Sequence, residues 1–141
     1  MTNWSSKLNM THSLSSNFRF SNLYTTSITN YILIELGQPM HAFDYEKIAG
    51  HRIIVRRAEE GETITTLDNT AHNLDNDVLV IADAEKPLAV AGIMGGLDSG
   101  ISDDTHTIIF ESAKFARDNV RRTSRKLNLK SDSSARFEKG I

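Results

Sequence analysis

The chain has 141 residues, of which 39% are hydrophobic and 24% charged, so it is one domain long and too apolar for a disordered segment. It contains no cysteine, which excludes a disulfide framework, a cysteine-based zinc site and a thiol nucleophile, and no apolar run approaches the roughly 18 residues that span a bilayer. The net charge of −2 hides a segregation. Residues 1–30 carry only Lys7 and Arg19, residues 31–113 carry 5 basic and 15 acidic side chains, and residues 114–141 carry 9 basic and 3 acidic ones. A basic segment of this kind either meets a polyanion or is simply a solvated, arginine-rich helix.

Residues 1–27 read as a poorly ordered leader. The first thirty residues hold 7 Ser, 5 Thr and 5 Asn and no acid, and they are too polar for a secretory signal and too poor in arginine for a transit peptide. Ser27–Leu36 reads as a short helix capped by Ser27, with Ile28, Tyr31, Ile32 and Leu36 on one face and Gly37 and Pro39 as the stop. Gly37–Asp44 follows as a turn that presents His41 and Asp44. Arg52–Arg57 and Thr63–Leu67 read as strands, the second ending in a turn at Asp68-Asn69. Val78–Ala82 is a continuous apolar run typical of a strand buried on both faces. It pairs with Leu88–Ile93 as a hairpin across a four- or five-residue loop. Thr107–Phe110 is one more strand. Phe115–Leu127 is a helix with Ala116, Val120 and Leu127 towards the core. Helices at the ends and strands between them predict a single α+β domain with antiparallel or mixed sheets and flanking helices.

Five stretches carry chemistry-bearing residues. In Gly37-Gln38-Pro39-Met40-His41-Ala42-Phe43-Asp44, His41 can position a water or pass a proton, or can simply satisfy a carbonyl while Asp44 caps the next element. In Ala91-Gly92-Ile93-Met94-Gly95-Gly96 the glycines allow a ligand to approach backbone N–H groups; a bulged strand is the plainer reading. Glu111 ends an apolar strand, where an unpaired carboxylate is costly to bury. It either accepts from a ligand hydroxyl or faces water. Arg117, Arg121 and Arg125 recur every four residues, broadened by Arg122 and Lys126, and form a stripe that can track phosphates or pair with the surplus acids. Ser131–Gly140, with its hydroxyls and cations, suits a sugar-phosphate contact or an ordinary turn.

Taken in order, Thr29-Asn30-Tyr31, Gly37–Asp44, Ala91–Gly96, Phe110-Glu111-Ser112 and Arg136-Phe137-Glu138-Lys139-Gly140 resemble the β chains of bacterial phenylalanyl-tRNA synthetases, in the domain that this family uses to edit mischarged tRNA. The resemblance covers residues 28–141, excludes residues 1–27, and implies a domain whose C-terminal part continues beyond Ile141. It implies an editing esterase: hydrolysis of Tyr-tRNA(Phe) by water attack, with no covalent nucleophile, no metal and no cofactor in this segment, since ATP and Mg²⁺ belong to the synthetic site of the parent ligase. It implies His41, Glu111, Asn30 and Thr29 as catalytic-site residues. Glu111 would receive the tyrosine hydroxyl, a backbone N–H of Gly95 or Gly96 would donate to it, and Ser131 and Ser133 would line the pocket. It also implies tRNA(Phe) and a synthetase α chain as partners, with Arg117, Arg121 and Arg125 on the RNA, in the cytoplasm and away from membranes. The competing readings are a non-catalytic tRNA-binding or structural fragment and a free-standing domain that edits in trans. If editing is right, His41, the Gly92–Gly96 loop, Glu111 and Ser131–Ser133 must converge on a cavity that admits a tyrosine side chain.

Overall fold

The structure, a computed structural model, describes residues 13–14 and 22–140. Its core forms around the most apolar part of the sequence. Strands β6 (Leu79–Ala82) and β7 (Pro87–Val90) make the expected hairpin. Its four-residue connection is held by the Asp83 carboxylate, which accepts from the N–H groups of Ala49, Glu85 and Lys86. Val80, Ile81, Leu88 and Val90 are almost fully buried, as two-sided burial of an uninterrupted apolar strand requires. Strand β3 (Ile54–Arg57) flanks β6, and the short β8 (Met94–Gly95) flanks β7, giving an antiparallel sheet of order β3-β6-β7-β8. A second hairpin joins β4 (Thr63–Thr65) and β5 (Ala71–Asn73).

A separate three-stranded sheet has the order β1-β9-β2, from β1 (Ser13–Leu14), β9 (Ile108–Ser112) and β2 (Met40–Asp44). Helices α1 (Asn22–Leu36), α2 (Arg117–Leu127) and α3 (Asp132–Lys139) complete the domain. One apolar cluster runs from Phe43 and Ile48 through the β6–β7 hairpin to Phe115, Val120 and Phe137. The fold is a small single α+β domain, as expected.

Several local expectations are corrected. Gly37–Asp44 is not a turn: Gly37, at φ +68°, closes α1, and Met40 onward is strand. Alternation along β2 therefore puts His41 and Phe43 on one face and Ala42 and Asp44 on the other. His41 and Asp44 form no dyad. Asp44 instead caps the next turn by accepting from the Glu46 N–H, and its other oxygen accepts from the buried Thr105 hydroxyl at 2.8 Å. Helix α1 begins at Asn22, five residues before the expected cap at Ser27. It also turns the other face inward. Thr25 is buried and Ile32 half-buried, whereas Ile28, Tyr31 and Leu36 are exposed. In α2, Val120 is buried as expected but Ala116 is exposed. Ser131–Gly140 is a helix, not a turn. Strand β1 and the first turn of α1 fall within residues 1–27, the segment expected to be poorly ordered; for the remainder of that segment the expectation lies outside the described residues.

Replacing Asp44 with Ala leaves the buried Thr105 hydroxyl and the Glu46 N–H without their acceptor. It is expected to lower stability by about 2 kcal/mol, read as a lower urea midpoint. An unchanged midpoint contradicts this role.

Candidate functional site

The register of β2 against β9 builds the site. His41 is the Cα partner of Glu111, and Phe43 that of Ile109. The Tyr45 N–H bonds the Thr107 carbonyl on the same diagonal, so His41/Glu111 is a hydrogen-bonded pair with Cα atoms about 5.5 Å apart. Directly opposed residues share a face, and the two side chains emerge together. They line one concavity with Gly92, Gly95, Ser133 and Phe137. The enclosed space is narrow. It measures about 50 Å³, or about 350 Å³ with its open mouth included. A phenol ring fits only by occupying the mouth as well, which is tighter than the tyrosine-sized chamber expected.

Gly95 explains the position of the imidazole. A Cβ on Gly95 would overlap His41 Cε1 and Nε2, so only glycine lets that edge of the ring come this close to β8. The ring also meets Phe43 edge-on at 4.6 Å. His41 Nε2 is buried without a hydrogen-bond partner among the described residues. Burial lowers the His41 pKa to about 4, because the imidazolium loses its hydration. Burial likewise pushes Glu111 up to about 7. Among the described residues no hydrogen bond or ion pair holds the Glu111 carboxyl, and none joins it to His41.

The other expected residues fall on either side of this cavity. Ser133 lines it. The Ser131 hydroxyl is committed to structure: it accepts from the Ser134 N–H as the cap of α3 and donates to the Ile93 carbonyl. Gly96 belongs to a different surface, and its N–H already donates to the Leu88 carbonyl at 2.6 Å. That bond makes Leu88/Gly96 a hydrogen-bonded pair and Ala89/Gly95 the non-bonded pair beside it, so the Gly95 N–H points away from β7. Of the two expected donors, Gly95 is the available one. Thr29 lies behind β2, where its hydroxyl donates to the Thr25 and Thr26 carbonyls. Asn30 is exposed on α1 and lines neither cavity next to His41.

Helix α2 presents Arg117, Arg121, Arg122 and Arg125 to solvent. Among the described residues none has a carboxylate within 4 Å, whereas Lys126 pairs with Asp75 and Asp77. The surplus acids therefore neutralise the lysine and leave the arginines free. Arg117 lies against Gly140 at the end of α3. No group of three or more His, Asp and Glu is arranged to hold a metal among the described residues, and no described helix is long and apolar enough to cross a membrane.

A profile of the B3/4 domain matches residues 2–141. Over 114 residues, 81% of the chain, it is 57% identical to the phenylalanine–tRNA ligase beta subunit of Moorella thermoacetica. It is 51% identical to that of Clostridium acetobutylicum and 54% to that of Aquifex aeolicus over the same length. The chain spans only 14–15% of the length of these curated relatives.

The two shifted groups give the domain a distinctive stability profile. Glu111, raised in the fold, contributes stability that is complete below about pH 4.5 and is lost as pH rises to about 7. His41, lowered in the fold, contributes stability that is complete above pH 6.5 and is lost as pH falls to about 4. Between roughly pH 4.5 and 6.5 the opposing slopes, about 1.4 kcal/mol per pH unit each, cancel. Glu111→Gln is expected to unmask the histidine, with stability rising by about 2–3 kcal/mol across that window in urea titrations. A flat profile in the variant contradicts the assignment. Gly95→Ala is expected to displace His41 and raise its pKa towards the ordinary value, measured by imidazole NMR; an unmoved titration contradicts the packing.

Proposed function

Since the chain belongs to the B3/4 domain family, we propose that it is the proofreading module of a phenylalanine–tRNA ligase β subunit, hydrolysing tyrosine esterified to tRNA(Phe). The observation that carries the reading is Glu111, a carboxyl without a partner among the described residues, on the same face as His41 at the rim of one cavity. A synthetic pocket shaped for phenylalanine rejects tyrosine only about a hundredfold, because tyrosine merely adds a hydroxyl. A second site that needs the hydroxyl discriminates better, because phenylalanine leaves its buried polar group unpaired. Ionised Glu111 accepts the tyrosine hydroxyl, and the Gly95 N–H, directed away from β7, donates to the same oxygen.

The chemistry asked of the protein is modest. Water attacks the ester carbonyl, the C–O bond to the ribose breaks, and the ribose oxygen leaves with a proton. His41 is neutral at physiological pH, so its unprotonated ring nitrogen can accept a hydrogen bond from that water and orient it. The free arginines of α2 hold tRNA phosphates. The relatives' name as beta subunits makes an α chain the expected partner.

Two measurements test this. Tyr-tRNA(Phe) and Phe-tRNA(Phe) are given to the isolated chain; preferential release of tyrosine is expected, and Glu111→Ala is expected to erase the preference with tRNA affinity nearly intact. Equal rates for both esters in the wild type overturn the reading. Arg121→Ala is expected to weaken binding of any tRNA and to reduce the log–log salt slope by about 0.7–0.9. An unchanged slope assigns the helix a structural role.

A further inference from the structure

The stretch Arg136-Phe137-Glu138-Lys139-Gly140 has so far no role of its own. Arg136 lies on α3 between the two residues of that helix that line the cavity of His41 and Glu111: Ser133 is one turn before it and Phe137 follows it. Its own side chain is exposed and is not part of the lining. The guanidinium reaches the end of α1 instead, where a Cβ on Gly37 would stand 3.8 Å from Nη1. Gly37 is soon followed by Pro39 and Met40, which line the same cavity. That corner is fixed, because the Gln38 amide donates to the Pro39 and Ala113 carbonyls at 2.8 and 3.1 Å. Arg136 therefore stands at the rim, where α1 and α3 approach. Among the described residues it makes no ion pair, not even with Asp132 four residues earlier, and it donates no hydrogen bond to the last carbonyls of α1.

The arginine stripe of α2 leads to this rim. Arg117, the first residue of α2, lies against Gly140, the residue that closes α3, with Nη1 3.7 Å from where a Cβ would be. Gly140 is one turn beyond Arg136, about 6 Å along the axis. Lys139, exposed and unpaired among the described residues, lies between them. Arg117, Arg121 and Arg125 continue along α2 at the same interval of about 6 Å. One row of cations thus runs along α2, crosses to α3 at Gly140 and ends at Arg136.

We propose that Arg136 is a phosphate anchor that ends this row: it holds a phosphodiester of the unpaired 3′ end of an RNA whose duplex lies along α2, and so aims the esterified terminus into the cavity. The inference rests on the proofreading reading for the phosphate role of α2, and adds to it the route by which the RNA end arrives. A guanidinium suits the task, because it stays charged at any working pH and its five N–H donors grip a phosphate in a fork. Among the described residues nothing competes for those donors. Standing outside the lining, Arg136 is a positioning residue and touches neither the ester carbonyl nor the attacking water.

Binding of two unesterified RNA minihelices tests the anchor, one with a single-stranded ACCA end and one blunt. Arg136→Ala is expected to weaken binding of the overhanging RNA about tenfold at low salt, to reduce its log–log salt slope by about 0.7, and to leave the blunt RNA unaffected. Arg136→Lys is expected to restore the slope and only part of the affinity, since lysine keeps the charge and loses the fork. Arg121→Ala is expected to weaken both RNAs. The urea midpoint of Arg136→Ala is expected to match the wild type. An unchanged slope for the overhanging RNA overturns the anchor, and a lowered midpoint beside it assigns Arg136 to holding the end of α1. Equal weakening of both RNAs marks a general charge effect and also overturns it. Failure of the wild type to bind either RNA overturns the row together with the phosphate role of α2. No ester is present, so a chain that binds in the expected way and hydrolyses nothing keeps the anchor and overturns the proofreading reading alone.

Discussion

The register between β2 and β9 is the constraint on which the rest of the domain depends. It sets His41 opposite Glu111. A slip of one residue would carry both side chains to the other face. The register is pinned beyond the sheet at the far end of β2: the Asp44 N–H bonds Ser99, the Tyr45 N–H bonds Thr107, and the Asp44 carboxylate holds Thr105. Glycine at position 95 then supplies the missing volume into which the imidazole fits. Strand pairing, a buried carboxylate and one absent methyl group together place two titratable side chains on one wall.

That wall is only partly exposed, and its chemistry follows from this. Burial disfavours charge on either group, so each moves towards its neutral form, the histidine downward and the glutamate upward. At neutral pH the histidine is uncharged and Glu111 is close to half-ionised. A carboxyl so placed gains most from a partner that arrives with a hydroxyl, because that partner ends an unpaired state instead of competing with bulk water. Charge elsewhere is arranged in the opposite sense. Among the described residues the arginines of α2 stay in solvent and unpaired, while Lys126 bridges to the acidic part of the chain through Asp75 and Asp77.

Much of this was legible from sequence, and the reasons differ by element. The β6–β7 hairpin could be read because two apolar runs flank a polar tetrad whose Asp83 gathers three N–H groups. Glu111 was not separable by position alone from an edge glutamate facing water, and only its place in the ordered series of motifs marked it. Strand β2 was missed because Gly37 and Pro39 are turn residues; here they only precede an edge strand, where proline is tolerated. The inward face of α1 was misjudged because apolar residues lie all round the helix, and tertiary packing chose the side bearing Thr25 and Ile32. Helix α3 was hidden by its serines, which form a capping box at its start. Gly95 and Gly96 were indistinguishable by type, and only the pairing of Gly96 with Leu88 separates them.

The most direct test of this account is an NMR titration of the wild-type chain, following the Glu111 side-chain carboxyl carbon and the His41 ring nitrogens together. The account predicts that Glu111 titrates at about 7 and that His41 stays neutral until about pH 4. A Glu111 midpoint at the ordinary value near 4.5, with His41 near 6.5, would mean that both groups face water and that no desolvated site exists between β2, β8 and β9.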